Sequence, residues 1–86
     1  MVEAPSATEL VLREVGEERQ AQDGKWGKQN HENFLWMTVL SEEVGEAAKA
    51  AMHDMFGGPD AGNLRAELVQ VAAVAVAWIE CLDRER

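Results

Sequence analysis

Apolar residues recur along the chain at helical spacing and gather into three blocks. The first opens after Pro5 with Ser6-Ala7-Thr8-Glu9, a capping-box pattern in which Ser6 and Glu9 satisfy otherwise orphaned backbone donors. Leu12, Val15 and Arg19 then share one side of a helix expected to end near Asp23-Gly24. Residues 24–33 hold two glycines and several polar side chains and read as a loop. A second helix is expected from about residue 32 to 55, stopped by Phe56-Gly57-Gly58-Pro59. Asp60 or Asn63 then caps a third helix running to about residue 83. Period-two alternation is not sustained anywhere and tyrosine is absent, so strands are not expected.

The third block changes the picture from three helices to more than one chain. VAAVAVAWI, residues 71–79, has no polar side over more than two turns and has to be covered all round. Two neighbours from an 86-residue chain scarcely achieve that, and a domain of this size buries only about 60–65% of its unfolded surface. A homodimer sharing a bundle core is the simplest remedy, with a tetramer as the larger form. The short Gly-Gly-Pro connection makes the second and third helices antiparallel neighbours. The expected fold is therefore all-α, an antiparallel bundle of about three helices per chain completed by oligomerisation. Residues 1–86 form one domain, with residues 1–5 expected to be disordered.

Charge and cysteine usage narrow the function classes. Sixteen acidic against eight basic residues give a net charge of −8, which argues against coating a nucleic acid polymer. A nucleotide accompanied by a divalent metal stays compatible, because the metal brings the positive charge. A single cysteine and no apolar leader point to a reduced, cytoplasmic setting. The longest apolar run is nine residues, short of the ~20 that span a bilayer.

Candidate chemistry sits in residues 40–46, LSEEVGE, where three carboxylates fall within five residues between apolar flanks. At about 100° per residue, Leu35, Val39, Glu46 and Ala50 share one stripe, and Glu42 and Glu43 flank it. The i,i+3 and i,i+4 relations make the three acids converge, on the side of the helix expected to be buried. Desolvated like charges repel and are costly to bury, and Lys49 lies toward the other side of Glu42. A hard divalent cation with oxygen ligands relieves both problems. Glu67 and Gln70, again i,i+3, come to a similar height across the turn. Glu80 and Asp83 have the same spacing but read as a solvated helix end. Gly45, within the cluster, costs ~1 kcal/mol of helix propensity relative to alanine, which suggests that a neighbouring helix or ligand comes close.

Glu42-Glu43-x-x-Glu46 followed by Glu67-x-x-Gln70 resembles the EExxE…ExxD signature of the all-α MazG-like nucleoside triphosphate pyrophosphohydrolases. NLRAELVQVAAVAVAWIE and EERQAQDGKWGKQNH extend the likeness, to a small bacterial and phage branch, over most of residues 17–80. The resemblance implies a Mg2+-dependent enzyme, with Mn2+ as a substitute, cleaving a (d)NTP to the monophosphate and pyrophosphate as a dimer or tetramer. It implies Glu43, Glu46 and Glu67 as metal ligands, joined by Gln70, and Glu42, Glu43 and Glu46 as the catalytic carboxylates. The family's closing Asp is Gln70 here, a neutral and weaker ligand. That departure keeps open a non-catalytic MazG-like module that binds nucleotide or simply assembles.

Lys25, Trp26, Lys28, Gln29 and Asn30 are candidate substrate contacts: Trp26 stacking on a base, the lysines near phosphates, Gln29 or Asn30 reading base edges. The plainer alternative is that Trp26 pins a loop to the core. Trp36 and Trp78 read as core or interface, and Met37, Met52 and Met55 as gap-fillers. Glu17, Glu18 and Asp23 read as a solvated face. His31 is expected to cap or hydrogen-bond the second helix, and His53 and Cys81 suggest no chemistry. The ligand positions of an EF-hand and the Glu-x-x-His pair of a di-iron bundle are both absent.

Overall fold

A computed structural model describes residues 3–85. It is all-helical: α1 spans Ala7–Trp26, α2 Asn33–Phe56 and α3 Leu64–Arg84, with no strand among the described residues. Of the five N-terminal residues expected to be disordered, 1 and 2 lie outside the described residues, and the next three precede α1 as exposed, non-helical chain.

Ser6 caps α1 as its position requires, its side-chain oxygen accepting from the Glu9 N–H at 3.0 Å. The helix then passes through Gly24, expected as its stop, and ends three residues later. Gly24 keeps a negative φ, whereas Gly27 takes φ 72° and its N–H closes on the Asp23 carbonyl at 2.8 Å. Left-handed backbone favours glycine and ends the helix there. Lys25 and Trp26 consequently belong to the last turn of α1, not to a loop.

The α2–α3 turn is held by side chains that sequence pattern alone did not single out. Asp54 Oδ1 accepts from the Gly62 N–H at 2.7 Å, and His53 Nδ1 accepts from the Asp60 N–H at 3.1 Å. Asp60 also lies 3.3 Å from Lys49 Nζ. Asn63 occupies the N-cap position of α3 but makes no side-chain capping bond.

α3 is the central helix, with α1 and α2 packed against it and not against each other. The molecule measures 46 × 45 × 19 Å, a flattened shape in which α3 carries both neighbours. The small residues Ala47, Ala50, Ala73 and Ala77 are buried, which lets the α2 and α3 backbones approach. Trp36, only 2% exposed, fills the space beside Val74, Ala77 and Cys81. α3 is not covered all round by its own chain: Leu68 and Ile79 are exposed. Leu12 and the three methionines of α2 are exposed as well, so these methionines fill no gap within the chain.

Polar ties complete the packing. Arg19 donates to Glu80 at 2.6 Å and to Asp23 at 2.9 Å, fixing α1 to α3. Arg65 forms a two-pronged pair with Glu14, and the Arg65 guanidinium holds that carboxyl below its ordinary range. Arg84 donates to Asn30 Oδ1 and to the Gln29 carbonyl, fastening residues 27–32 to the end of α3. Among the described residues, no helix is long and apolar enough to cross a membrane.

Candidate functional site

Because α1 and α2 flank α3 without meeting, a cleft of about 480 Å³ opens between them over α3. Glu18 and Gln22 of α1, Glu43 of α2 and Gln70 of α3 line it, as do Lys25, Trp26, Gln29 and His31 two turns further along. Trp36, Val39, Val74 and Ala77 give it an apolar floor. The His31 ring packs against Trp36, centroids 4.9 Å apart and planes tilted by 60°.

Glu43 is the acid that the fold turns inward. It is half-buried, and its pKa is raised from the ordinary 4.5, first by desolvation and then by the charges of Glu67, Glu46, Glu42 and Glu18. None of those five carboxylates forms an ion pair among the described residues. The expected burial of the whole cluster is corrected in detail: Glu42 and Glu46 are exposed, while Glu43, Glu67 and Gln70 are half-buried. The face of α2 that meets α3 is centred on Trp36, Glu43, Ala47 and Ala50, not on the stripe through Leu35 and Glu46. Leu35 is exposed with it. The small side chains of Ala47 and Ala50 set that rotation, since they admit the closest approach of α3.

Glu67 acts on Glu43 more strongly than any other charge, as its height across the turn suggested. Gln70 lines the cleft, and its side-chain oxygen takes a long hydrogen bond of 3.5 Å from Gln22 Nε2. Among the described residues, no three His, Cys, Asp or Glu side chains are gathered closely enough to hold a metal ion by themselves. Glu43 and Gln70 both line the cleft, and Glu67, also half-buried, lies near enough for its charge to act on Glu43.

The five candidate substrate contacts separate. Lys25, Trp26 and Gln29 border the cleft, with Lys25 Nζ 4.8 Å from the centroid of the Trp26 ring, itself 61% exposed. Lys28 lines an adjacent, smaller cavity of about 120 Å³ beside Arg19, Glu80 and Arg84. Asn30 is committed to Arg84. Pattern reading left Glu18 on a wet face and passed over Gln22. Their signal was the spacing Val15, Glu18, Arg19, Gln22, which continues the buried side of α1 from Val15.

Comparison of the chain with family models, curated proteins and solved structures finds no match.

Proposed function

We propose that the chain is a cytoplasmic, homo-oligomeric nucleoside triphosphate pyrophosphohydrolase of the MazG-like kind, dependent on Mg2+ or Mn2+. It converts a (d)NTP to the monophosphate and pyrophosphate. The observation that carries this reading is Glu43: a half-buried carboxylate amid four others, without a counter-cation, at a cleft that also holds Trp26 and Lys25. The cleft volume of about 480 Å³ suits a nucleotide-sized ligand.

Glu43, Glu46, Glu67 and Gln70 would hold the cation, whose charge offsets that of the phosphates. Glu43 or Glu42 takes the proton of the attacking water, and the raised pKa of Glu43 suits it to that task. The water oxygen bonds to phosphorus as the bridging P–O bond breaks, and pyrophosphate leaves. Trp26 offers a stacking face to the base, and Gln29 a hydrogen-bonding edge. Lys25 adds positive charge on the same side. Lys28 and Asn30 need to leave their present surroundings to reach the substrate.

The test is pyrophosphate release from a panel of ribo- and deoxynucleoside triphosphates with Mg2+ or Mn2+. Release is expected from the wild type and not from Glu43→Gln, and Gln70→Asp is expected to accelerate it.

A second reading, a non-catalytic nucleotide-binding or assembly module, draws on the Gln70–Gln22 bond and on the lack of a gathered three-acid group. It predicts nucleotide protection against thermal unfolding without pyrophosphate release.

A further inference from the structure

The cavity of about 120 Å³ beside the cleft differs from it in charge. Three of the chain's eight basic residues, Arg19, Lys28 and Arg84, line it, against two acids, Asp23 and Glu80. Both acids are bonded to Arg19. Among the described residues Lys28 forms no ion pair, and Arg84 donates to the neutral oxygens of Asn30 and Gln29 instead of a carboxylate. Two cations at the cavity are thus left without an acidic partner, in a chain whose net charge is −8.

The same cavity holds two stranded donors. Arg19 Nε and Trp36 Nε1 are buried and have no hydrogen-bond partner among the described residues. Trp36 is 2% exposed and the Arg19 side chain 12%, and both line the cavity. Buried N–H groups without an acceptor are destabilising and rare. Trp78, by contrast, places its Nε1 at 3.0 Å from Asn33 Oδ1. Complementing a helix dipole explains a cation at the close of α1 and of α3, but not two buried donors that lack acceptors.

We propose that this cavity takes a small tetrahedral oxyanion of the phosphate type. Lys28 and Arg84, both exposed, meet it from the solvent side, and the Arg19 and Trp36 N–H groups meet its oxygens from the buried side. The volume corresponds to about four waters at ~30 Å³ each, room for one such ion and not for a nucleotide. Along α3, Glu80 lies ten residues beyond Gln70, about 15 Å at 1.5 Å per residue. The subsite is therefore separate from the carboxylates of the cleft, and it requires neither metal nor catalysis. Because Gln29, Trp36 and Ala77 line both spaces, an occupant also braces the wall of the cleft. Free orthophosphate and pyrophosphate share the chemistry.

Titration calorimetry of the full chain with each anion, without divalent metal and at constant ionic strength, tests the subsite. Saturable binding is expected, weakened at least about tenfold by Lys28→Gln and unchanged by Lys49→Gln, which removes an equal charge elsewhere. Tighter binding of orthophosphate assigns the subsite to the free ion, and tighter binding of pyrophosphate to that product. In nitrogen-15 spectra the Trp36 indole N–H should shift on titration while that of Trp78 stays, with Trp36→Phe identifying the resonance. No saturable binding of either anion overturns the proposal and leaves the cavity to water. So does binding that Lys28→Gln spares, or that Lys49→Gln weakens as much, or a Trp36 resonance that does not move.

Discussion

Glu43 shows what a single residue contributes here, because its stability effect and its proposed chemistry pull in opposite directions. Its folded pKa is raised above the ordinary 4.5, so the folded chain holds the proton more tightly than the unfolded one. That contribution is fully present below the ordinary pKa and is lost as pH rises through the folded value. Thermal melts without divalent metal should therefore show Glu43→Gln more stable than the wild type at pH 7. The gap should close as the pH falls below 4.5. A variant equal to or less stable than the wild type at neutral pH would remove the strain assigned to this carboxylate. A second residue-scale prediction concerns the turn. Gly58 has φ 149°, and a Cβ placed on it would lie 2.5 Å from the His53 ring. Gly58→Ala is expected to cost about 1–3 kcal/mol, measured by urea denaturation. A neutral substitution would mean that His53 yields without loss.

At the scale of elements, the helices were legible in the sequence and their rotation was not. Ser6-x-x-Glu9 marked the start of α1, and Gly-Gly-Pro marked the break between α2 and α3, because caps and breakers are local chemistry. The end of α1 was misplaced because a helical glycine and a terminating one look alike until φ is known, and here Gly24 stays helical while Gly27 does not. Which face of α2 turns inward depends on where α3 comes closest, so Glu43 is turned inward and Glu46 left exposed through a tertiary contact rather than through spacing. Glu18 and Gln22 joined the cleft for the same reason, carried in by the phase of Val15. Arg19 ties α1 to α3 through Glu80 and Asp23 and is raised in pKa chiefly by its bond to Glu80. With α1 touching only α3, Arg19→Ala should lower stability by about 1.5–3 kcal/mol and loosen α1 first. Hydrogen exchange should then rise in α1 before α2, and uniform protection across the helices would contradict that role.

The whole molecule is flattened, 46 × 45 × 19 Å, and its cleft follows from α1 and α2 both packing on α3 and not on each other. If the carboxylates hold a divalent cation, millimolar Mg2+ or Mn2+ should raise the melting temperature through mass action on the folded state. Glu43→Gln should blunt that rise while keeping its own metal-free gain. An unchanged melting temperature at every metal concentration would favour an acidic rim with no metal role.

The most direct test of the central claim is pyrophosphate release from nucleoside triphosphates by the purified wild type, with Mg2+ or Mn2+, beside the Glu43→Gln variant shown to be folded. Metal-dependent release by the wild type that disappears in the variant is the predicted result. No release from any triphosphate, or equal release from both proteins, would contradict the assignment of this cleft as a pyrophosphohydrolase site.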